Sequence, residues 1–299
     1  MIDFNIAGFR FRFSWSSGII NAAQHLGPQL KTFEQASDAP PDVQVRIEEA
    51  ATDDIKALEQ LPVICEGRLG EQTLWSLRQY DSGYIIGTYR HFSDSDPHHI
   101  TLANPDFSRF TIYPVEPIRA SSLPESLVSF PLLSLMLYYQ TTVHDAIYLH
   151  ASAVIDKGFA RIFTAKSGVG KTTMARNWQQ HGYPLINDDR LMLRLTEDGV
   201  QVHNTPMIYT TDPVSAPLGS VYLLRQAPHL NIQPLNGVKA VSNVLSNCII
   251  QGFSSQIIEH HVSIISRICS QTHVFEFENK PGPEVIPFVK SHDRAFITS

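Results

Sequence analysis

The chain has 299 residues, 43% of them hydrophobic, and a formal net charge of −6 at pH 7. This length predicts two domains or one large one, and the hydrophobic fraction is sufficient for a buried core. The negative charge, without a cluster of Lys and Arg, argues against a nucleic-acid partner. The three cysteines are far apart and not at metal-binding spacing, as is typical of reduced thiols in the cytoplasm.

The sequence also predicts that the protein has no membrane partner. Residues 1–6 alternate as a strand does and lack the basic segment and apolar run of a secretory signal. The most apolar stretch, Leu127–Tyr139, contains a proline and is too short to span a bilayer. We therefore expect a cytoplasmic protein.

Residues 1–122 predict a β-rich N-terminal domain with no catalytic motif. Phe9–Phe13 alternates as a strand does, and Thr73–Tyr80 and Tyr84–Tyr89 together predict a hairpin. Residues 33–60 are polar and acidic, which indicates a loop or a short helix. We expect this domain to serve substrate recognition or regulation.

Residues 123–299 predict a second domain that mixes strands and helices. A linker is expected at Pro117–Pro124, followed by a helix over Glu125–Thr142. Apolar runs and helical spacing predict the further elements of this domain: strands at Ala146–Ile155, Phe159–Thr164, Val221–Leu224 and His273–Phe277, and helices within Val238–Ser270.

The most informative segment, residues 165–172, reads Ala-Lys-Ser-Gly-Val-Gly-Lys-Thr. It matches the phosphate-binding pattern of Gly, four residues, then Gly-Lys-Ser/Thr, except that Ala165 replaces the first glycine. Gly168 and Gly170 allow the backbone to curl its N–H groups around an anion. The segment therefore predicts a P-loop.

The elements predicted on either side fit a P-loop. A strand at Phe159–Thr164 precedes it, and a helix at Thr173–His181, ended by Gly182, follows and directs its positive N-terminal end at the phosphates. Lys171 would reach the β- and γ-phosphates, and the Thr172 hydroxyl would ligate Mg²⁺. The predicted nucleotide-binding residues are Ser167, Gly168, Val169, Gly170, Lys171, Thr172 and Thr173.

Two adjacent carboxylates, Asp188 and Asp189, follow the predicted helix. Leu185-Ile186 predicts a short buried strand parallel to the P-loop strand, and its carboxyl end would place both aspartates beside the loop. One carboxylate would bind the metal while the other accepts a proton from an incoming hydroxyl. An acidic turn is the alternative for such a pair, but its spacing from a P-loop favours function.

Three further side chains are weaker candidates. His150 lies in an apolar run, where a histidine is more often part of the core than a ligand. Arg190 follows the aspartate pair and Arg225 follows a predicted strand, so each is a candidate for phosphate contact. Surface ion pairs are the alternative for both arginines.

Three segments together resemble the catalytic core of HPr kinase/phosphorylase and its relatives, a group related in fold to phosphoenolpyruvate carboxykinases. They are Leu149-His150-Ala151, Ala165–Thr172 and His181–Arg190, and their order and spacing agree with that core. The resemblance covers residues 145–195. It implies an α/β fold (α+β overall), with a P-loop kinase core in residues 123–299 that binds ATP and Mg²⁺.

The resemblance also implies a role for each matched residue. Lys171 and Thr172 would bind phosphates and Mg²⁺. Asp188 would be the base that takes the proton of an acceptor serine, and Asp189 a metal ligand, although the two roles are exchangeable. His150 would lie at the active site, near the phosphates or the metal. The resemblance therefore favours a role at the site over the alternative that His150 is a core residue.

One departure limits what the resemblance implies. HPr kinases carry a Gly-rich segment after the aspartate pair that is linked to phosphorylase activity, whereas this chain has Val202–Met207 there. The departure argues against the reverse phosphorolysis and against HPr as the substrate. The chain looks more like the scattered HPr-kinase-related proteins, some of which are similar to peptide-modifying kinases found with ribosomal peptide pathways.

The leading hypothesis is an ATP- and Mg²⁺-dependent kinase that phosphorylates a serine, or a similar hydroxyl, of a protein or of a peptide such as a ribosomal precursor peptide. A small-molecule kinase, for instance one acting on free serine, is the second hypothesis. A nucleotide-binding regulatory protein with little or no transfer activity is the third. The family resemblance permits a homo-oligomer.

Overall fold

A computed structural model describes residues 1–19, 26–89, 97–116, 128, 130–206, 212–251, 253–280 and 282–297. It shows a mixed α/β protein with two large β-sheets. The chain forms two compact units, an N-terminal unit of residues 1–143 and 206–213 and a C-terminal unit of residues 144–205 and 214–299. Within the described residues, no helix is both long enough and apolar enough to cross a bilayer.

The N-terminal unit is built on one eight-stranded sheet, with the strand order β1-β2-β3-β8-β7-β6-β5-β4. Its elements are β1 (Ile2–Ile6), β2 (Phe9–Trp15), a 3₁₀ turn (Pro28–Phe33), β3 (Val43–Ile47), α1 (Asp53–Ala57), a 3₁₀ turn (Leu58–Gln60), β4 (Val63–Leu69), β5 (Gln72–Tyr80), β6 (Gly83–Thr88), β7 (His99–Ala103), β8 (Arg109–Pro114) and α2 (Leu132–Gln140). The predicted hairpin is confirmed, because β5 and β6 pair in antiparallel register.

Residues 33–60 contain the predicted short helix, α1, but they also contain a strand that is not predicted, β3. It lies in the middle of the sheet, parallel to both β2 and β8. Val43, Val45 and Ile47 are buried, while the residues between them are exposed. This alternation with a period of two is typical of a strand, but it spans only five residues. As a signal in the sequence, it is outweighed by the polar composition of the surrounding segment.

Helix α2 belongs to the N-terminal unit, whereas the sequence placed a helix over Glu125–Thr142 at the start of the second domain. It begins only after Pro131, since proline lacks the N–H that a helix interior requires. Tyr139 stacks on Phe107 with ring centroids 4.2 Å apart, and the Gln140 side-chain amide donates to the Phe107 carbonyl at 2.9 Å. The predicted linker at Pro117–Pro124 lies outside the described residues.

The C-terminal unit contains the second sheet and four helices among its described residues. Its elements are β9 (Ala146–Asp156), β10 (Phe159–Thr164), α3 (Lys171–Gln180), β11 (Leu185–Asn187), β12 (Arg190–Thr196), β13 (Gly199–Asn204), β14 (Ser215–Gln226), β15 (Asn231–Leu235), α4 (Gly237–Leu245), α5 (Ser255–Gln271), β16 (His273–Asn279) and α6 (Val285–Ile297). The strands predicted at Ala146–Ile155 and Phe159–Thr164, before the P-loop segment, are confirmed as β9 and β10.

The second sheet combines antiparallel and parallel pairs. Its strand order is β10-β9-β12-β13-β14-β16-β15, and β10 also pairs with β14, which closes five of these strands into a ring. Strands β10, β14 and β16 run parallel, so their carboxyl ends meet at one edge. Ligands of α/β proteins bind at this kind of edge.

Helices cover both faces of these parallel strands. On one face, α4 and α5 contribute to a core that includes Ile162, Val221 and Ile265. On the other, α3 and α6 contribute to a core that includes Phe163 and Trp178. Burial of its apolar side therefore holds the helix that follows the P-loop segment in place. This packing does not depend on a ligand at the first turn of the helix.

Trp178 anchors α3, and its removal should destabilise the C-terminal unit. Its side chain is fully buried, with its ring centroid 5.9 Å from that of Phe163 and 4.7 Å from that of Tyr183. We expect Trp178→Ala to lower the free energy of unfolding by about 3–5 kcal/mol because a large cavity would remain. Urea unfolding followed by circular dichroism measures the loss. The neighbouring exposed Gln179→Ala should leave stability within about 0.5 kcal/mol, and equal stability of both variants would contradict this packing role.

Candidate active site

The loop between β10 and α3 contains two glycines with left-handed backbone. Gly168 and Gly170 have φ angles of 83° and 109°, in the left-handed region that side chains other than glycine rarely adopt. A Cβ built on either residue would meet no atom within 4 Å, so conformation rather than lack of space requires glycine. The loop leads directly into Lys171, the first residue of α3. The strand–loop–helix context predicted for the segment is therefore present.

Lys171 is held inside this loop. The residue is 6% exposed, and its Nζ donates to the carbonyl oxygens of Ala165 at 2.9 Å and Lys166 at 3.5 Å. The Ser152 hydroxyl on β9 donates to the backbone oxygen of Lys171 at 2.9 Å and ties the start of α3 to the sheet. Burial lowers the pKa of Lys171, while the nearby Asp189 carboxylate opposes that shift.

The aspartate pair lies in the turn between β11 and β12, beside the loop. Strands β10 and β11 are both antiparallel to β9 and so run in the same direction, as predicted. Asn187 shapes the turn: its Oδ1 accepts from the backbone N–H groups of Asp189 at 2.9 Å and Arg190 at 3.3 Å. Its own amide donates to the Thr205 carbonyl at 3.2 Å. Asn187 is not among the residues predicted for the site, although an asparagine that begins a turn is a recognised signal.

Asp188 faces the first turns of α3. The Thr172 hydroxyl donates to the Asp188 backbone oxygen at 3.3 Å, and Arg176 Nη2 lies 3.9 Å from Asp188 Oδ2. The Asp188 side chain is 14% exposed. Its pKa is raised mainly by burial; Arg176 lowers it and Asp189 raises it further. Arg176 is a site residue that is not predicted from the sequence. Its contact with Asp188 depends on how α3 packs, which the spacing between Thr172 and Arg176 does not show.

His150 contacts the second aspartate. It lies on β9 opposite Arg190 of β12, and its Nε2 is 3.5 Å from Asp189 Oδ1. Burial lowers the pKa of His150, Lys171 and Arg190 lower it further, and Asp189 raises it. The net shift is downward, which favours a neutral imidazole near pH 7. The Thr164 hydroxyl donates to the His150 backbone oxygen at 2.9 Å and links this strand to the end of β10.

The two secondary arginines have carboxylate partners. Arg190 Nε lies 3.6 Å from Asp189 Oδ2, within the site. Arg225, at the end of β14, donates to Glu276 Oε1 at 3.0 Å. Arg190 is therefore part of the charge balance around Asp189, whereas Arg225 lies at the carboxyl end of β14 and is paired with Glu276.

The oxygen atoms at this site fit a hard divalent cation. The Thr172 hydroxyl and the carboxylates of Asp188 and Asp189 are the ligand types that Mg²⁺ prefers, and Mg²⁺ usually completes its shell with water and phosphate oxygens. Among the described residues, no cluster of three or more His, Cys, Asp and Glu side chains forms a metal cage. Any Mg²⁺ here would accordingly be shared between protein and nucleotide.

Two depressions flank the loop within the C-terminal unit. The first, of about 830 Å³, lies beside α3 and is lined by the loop glycines and by Thr173, Asn177 and Asn279 among others. The second, of about 620 Å³, lies beside α4 and is lined by Lys166, Lys239 and Glu276 among others. Both volumes are in the range of small-molecule sites. Of the predicted phosphate-binding side chains, Ser167 and Thr173 are exposed and Val169 is partly buried.

Comparison with known proteins adds a distant likeness. No protein-family model and no curated protein sequence matches the chain. Among solved structures, the chain is similar to the Hpr(Ser) kinase/phosphatase from Coxiella burnetii, with 10% sequence identity and a TM-score of 0.32. The match covers 51% of this chain and 99% of that chain. It is a likeness in fold alone and assigns no activity, substrate or partner to this protein.

The raised pKa of Asp188 predicts a pH-dependent cost in stability. The folded protein holds this carboxylate in its charged form less favourably than the unfolded chain does, so the cost is present at neutral pH and disappears as the pH falls below 3.8. We expect Asp188→Asn to be more stable than the unmodified protein in urea at pH 7, with the difference shrinking on acidification. Asp198→Asn, in the exposed turn between β12 and β13, is the control. Lower stability of Asp188→Asn at pH 7 would show that the attraction to Arg176 outweighs the cost of burial.

Proposed function

We propose that the protein is a P-loop kinase of the HPr kinase type that transfers the γ-phosphoryl group of ATP to a serine or similar hydroxyl of a protein or peptide. One observation carries the proposal: Lys171, Asp188 and His150 come from separate elements and converge beside a loop with two left-handed glycines. The sequence motifs at 149–151, 165–172 and 181–190 support the same assignment. We infer that the protein works in the cytoplasm.

Lys171 and the loop would stabilise charge on the phosphates. The loop N–H groups and the positive end of α3 favour an anion, and Lys171 would exchange its bonds to the Ala165 and Lys166 carbonyls for phosphate oxygens. Phosphoryl transfer needs little covalent help from a protein, so positioning and charge stabilisation supply most of the rate. Mg²⁺ held by Thr172 and an aspartate would neutralise further phosphate charge when bound.

Asp188 would act as the general base. The acceptor hydroxyl oxygen forms a bond to the γ-phosphorus, its proton passes to an Asp188 carboxylate oxygen, and the bond from phosphorus to the bridging oxygen of ADP breaks. A carboxylate with a raised pKa is a stronger base than an ordinary aspartate, which suits this step. His150, in its neutral form, would hold Asp189 in place as the metal ligand.

A small-molecule kinase is a second candidate, favoured by the size of the depression beside α4, about 620 Å³. That volume suits a metabolite or one terminal residue of a peptide better than a folded protein surface. A regulatory protein that binds ATP without transferring phosphate is the remaining alternative, and activity measurements on Lys171 and Asp188 variants distinguish it.

Replacing Lys171 should abolish transfer without unfolding the protein. We expect Lys171→Ala to lower the rate of transfer from γ-labelled ATP by about 10²-fold or more, because a phosphate contact is lost. Its circular dichroism spectrum should be unchanged, since the Nζ donates to the carbonyls of Ala165 and Lys166 within the loop. Lys157→Ala, in the exposed turn between β9 and β10, is the matched control. A well-folded Lys171→Ala protein with full activity would refute the kinase assignment.

Replacing Asp188 should separate chemistry from binding. We expect Asp188→Asn to bind ATP as tightly as the unmodified protein while its transfer rate falls by about 10²–10⁴-fold, the usual contribution of a general base. Equilibrium nucleotide binding and label transfer, measured on the same preparation, test this. Asp189→Asn should instead weaken Mg²⁺-dependent binding. If the two variants show the opposite pattern, the roles of the two aspartates are exchanged.

A further inference from the structure

The depression beside α4, which we call the α4 depression, has an excess of positive charge. Its lining includes the cationic side chains of Lys166, Arg225 and Lys239 and a single carboxylate, Glu276. Glu276 is already bound by Arg225, whose Nη1 lies 3.0 Å from its Oε1. Lys166 and Lys239 are exposed, and neither forms an ion pair with another residue in the described part of the chain. Two ammonium groups are thus left to attract an anion.

The α4 depression is lined by residues that contact the proposed catalytic groups. Thr164, in its lining, donates to the His150 backbone oxygen at 2.9 Å, and Asn247, also in its lining, accepts from the His150 backbone N–H at 3.0 Å. Ala165 and Lys166, whose carbonyls hold Lys171, line it as well. A molecule in this depression would lie next to the position where Lys171 meets phosphate.

The nucleoside part of the nucleotide can bind outside the α4 depression. The other depression, on the α3 side, includes Thr173 and Asn177, which follow Lys171 on successive turns of the helix. A nucleotide with its phosphates on the loop can therefore place its nucleoside beside α3. This arrangement leaves the α4 depression for the acceptor, whose hydroxyl must come within about 3–3.5 Å of the γ-phosphorus.

We propose that the acceptor carries an anionic group, a carboxylate or a phosphate, in addition to its hydroxyl, and that Lys239 and Lys166 bind this group in the α4 depression. The proposal rests on the proposed kinase function and adds the chemical class of its substrate. An anion near the reacting hydroxyl would be attracted from solution and oriented by the two ammonium groups. A neutral acceptor of the same shape would lose both effects.

Labelling with pyridoxal phosphate, an anionic aldehyde, tests the site without knowledge of the acceptor. Its imine with a lysine amine is fixed by borohydride reduction, and mass spectrometry then gives the rate at each lysine. With Mg²⁺ and ADP present, we expect Lys239 to be modified about tenfold faster than Lys157, since clustered positive charge concentrates an anionic reagent. Malonate or inorganic phosphate should protect Lys239 but not Lys157. Equal rates at the two lysines, or a lack of protection by both anions, would overturn the proposal.

The same experiment reports separately on the proposed function. Lys171 should be modified without nucleotide and protected by Mg²⁺ and ADP. If ADP fails to protect Lys171 while Lys239 behaves as expected, the nucleotide site is wrong and the anion site stands. If Lys171 is protected and Lys239 reacts like Lys157, the kinase proposal stands and the acceptor proposal fails.

Transfer to matched acceptors provides the second measurement. We expect label from ATP to pass to L-serine, or to a peptide ending in serine, at least about tenfold more efficiently than to the corresponding amide, which lacks the carboxylate. Lys239→Gln should raise the KM of the carboxylate acceptor and leave the KM of ATP unchanged, while Lys157→Gln should change neither. Equal use of acid and amide, or a raised KM for ATP alone, would contradict the proposal. If none of these acceptors is phosphorylated, the labelling rates decide.

Discussion

Backbone pairing along β9 is the constraint on which the candidate site depends. The first half of this strand pairs with β12, and its second half pairs with β10 and β11. Strands β10 and β11 run in the same direction on either side of β9. The loop that follows β10 and the turn that follows β11 therefore leave the sheet at the same edge. His150 lies at the middle of β9, where the pairing changes. Hydrogen bonds of the main chain thus bring together three segments that are far apart in sequence.

Charge balance is the second constraint on the site. Lys171 and Asp188 are largely buried, and each shows a pKa shifted toward its neutral form by that burial. Arg176 and Asp189 partly offset these costs by supplying opposite charge. A site of this kind is less stable than an apolar core of the same size, because its buried charge is only partly compensated. Trp178 and the apolar faces of α3 and α6 provide stability nearby.

The two depressions beside the loop differ in the pairing of their cations. Both linings contain amides, but on the α4 side Lys166 and Lys239 form no ion pair within the described part of the chain, whereas Arg176 and Lys280 on the α3 side lie against carboxylates. A kinase must hold two different molecules in line across one phosphoryl group. Under the proposed function, each of the two depressions beside the loop would hold one of these molecules.

The sequence by itself determined the local elements of the site. The glycine pattern of residues 165–172, the strand before it and the helix after it follow from local conformational preferences, and so does the strand that carries His150. Strand β3 is not predicted from the sequence, because a five-residue alternation inside a polar segment is a weak signal. Only the tertiary structure decided which side chains meet. The contact of Arg176 with Asp188, the turn formed by Asn187 and the α4 depression depend on strand order and helix packing, which are set by non-local hydrogen bonds and burial that no short segment encodes.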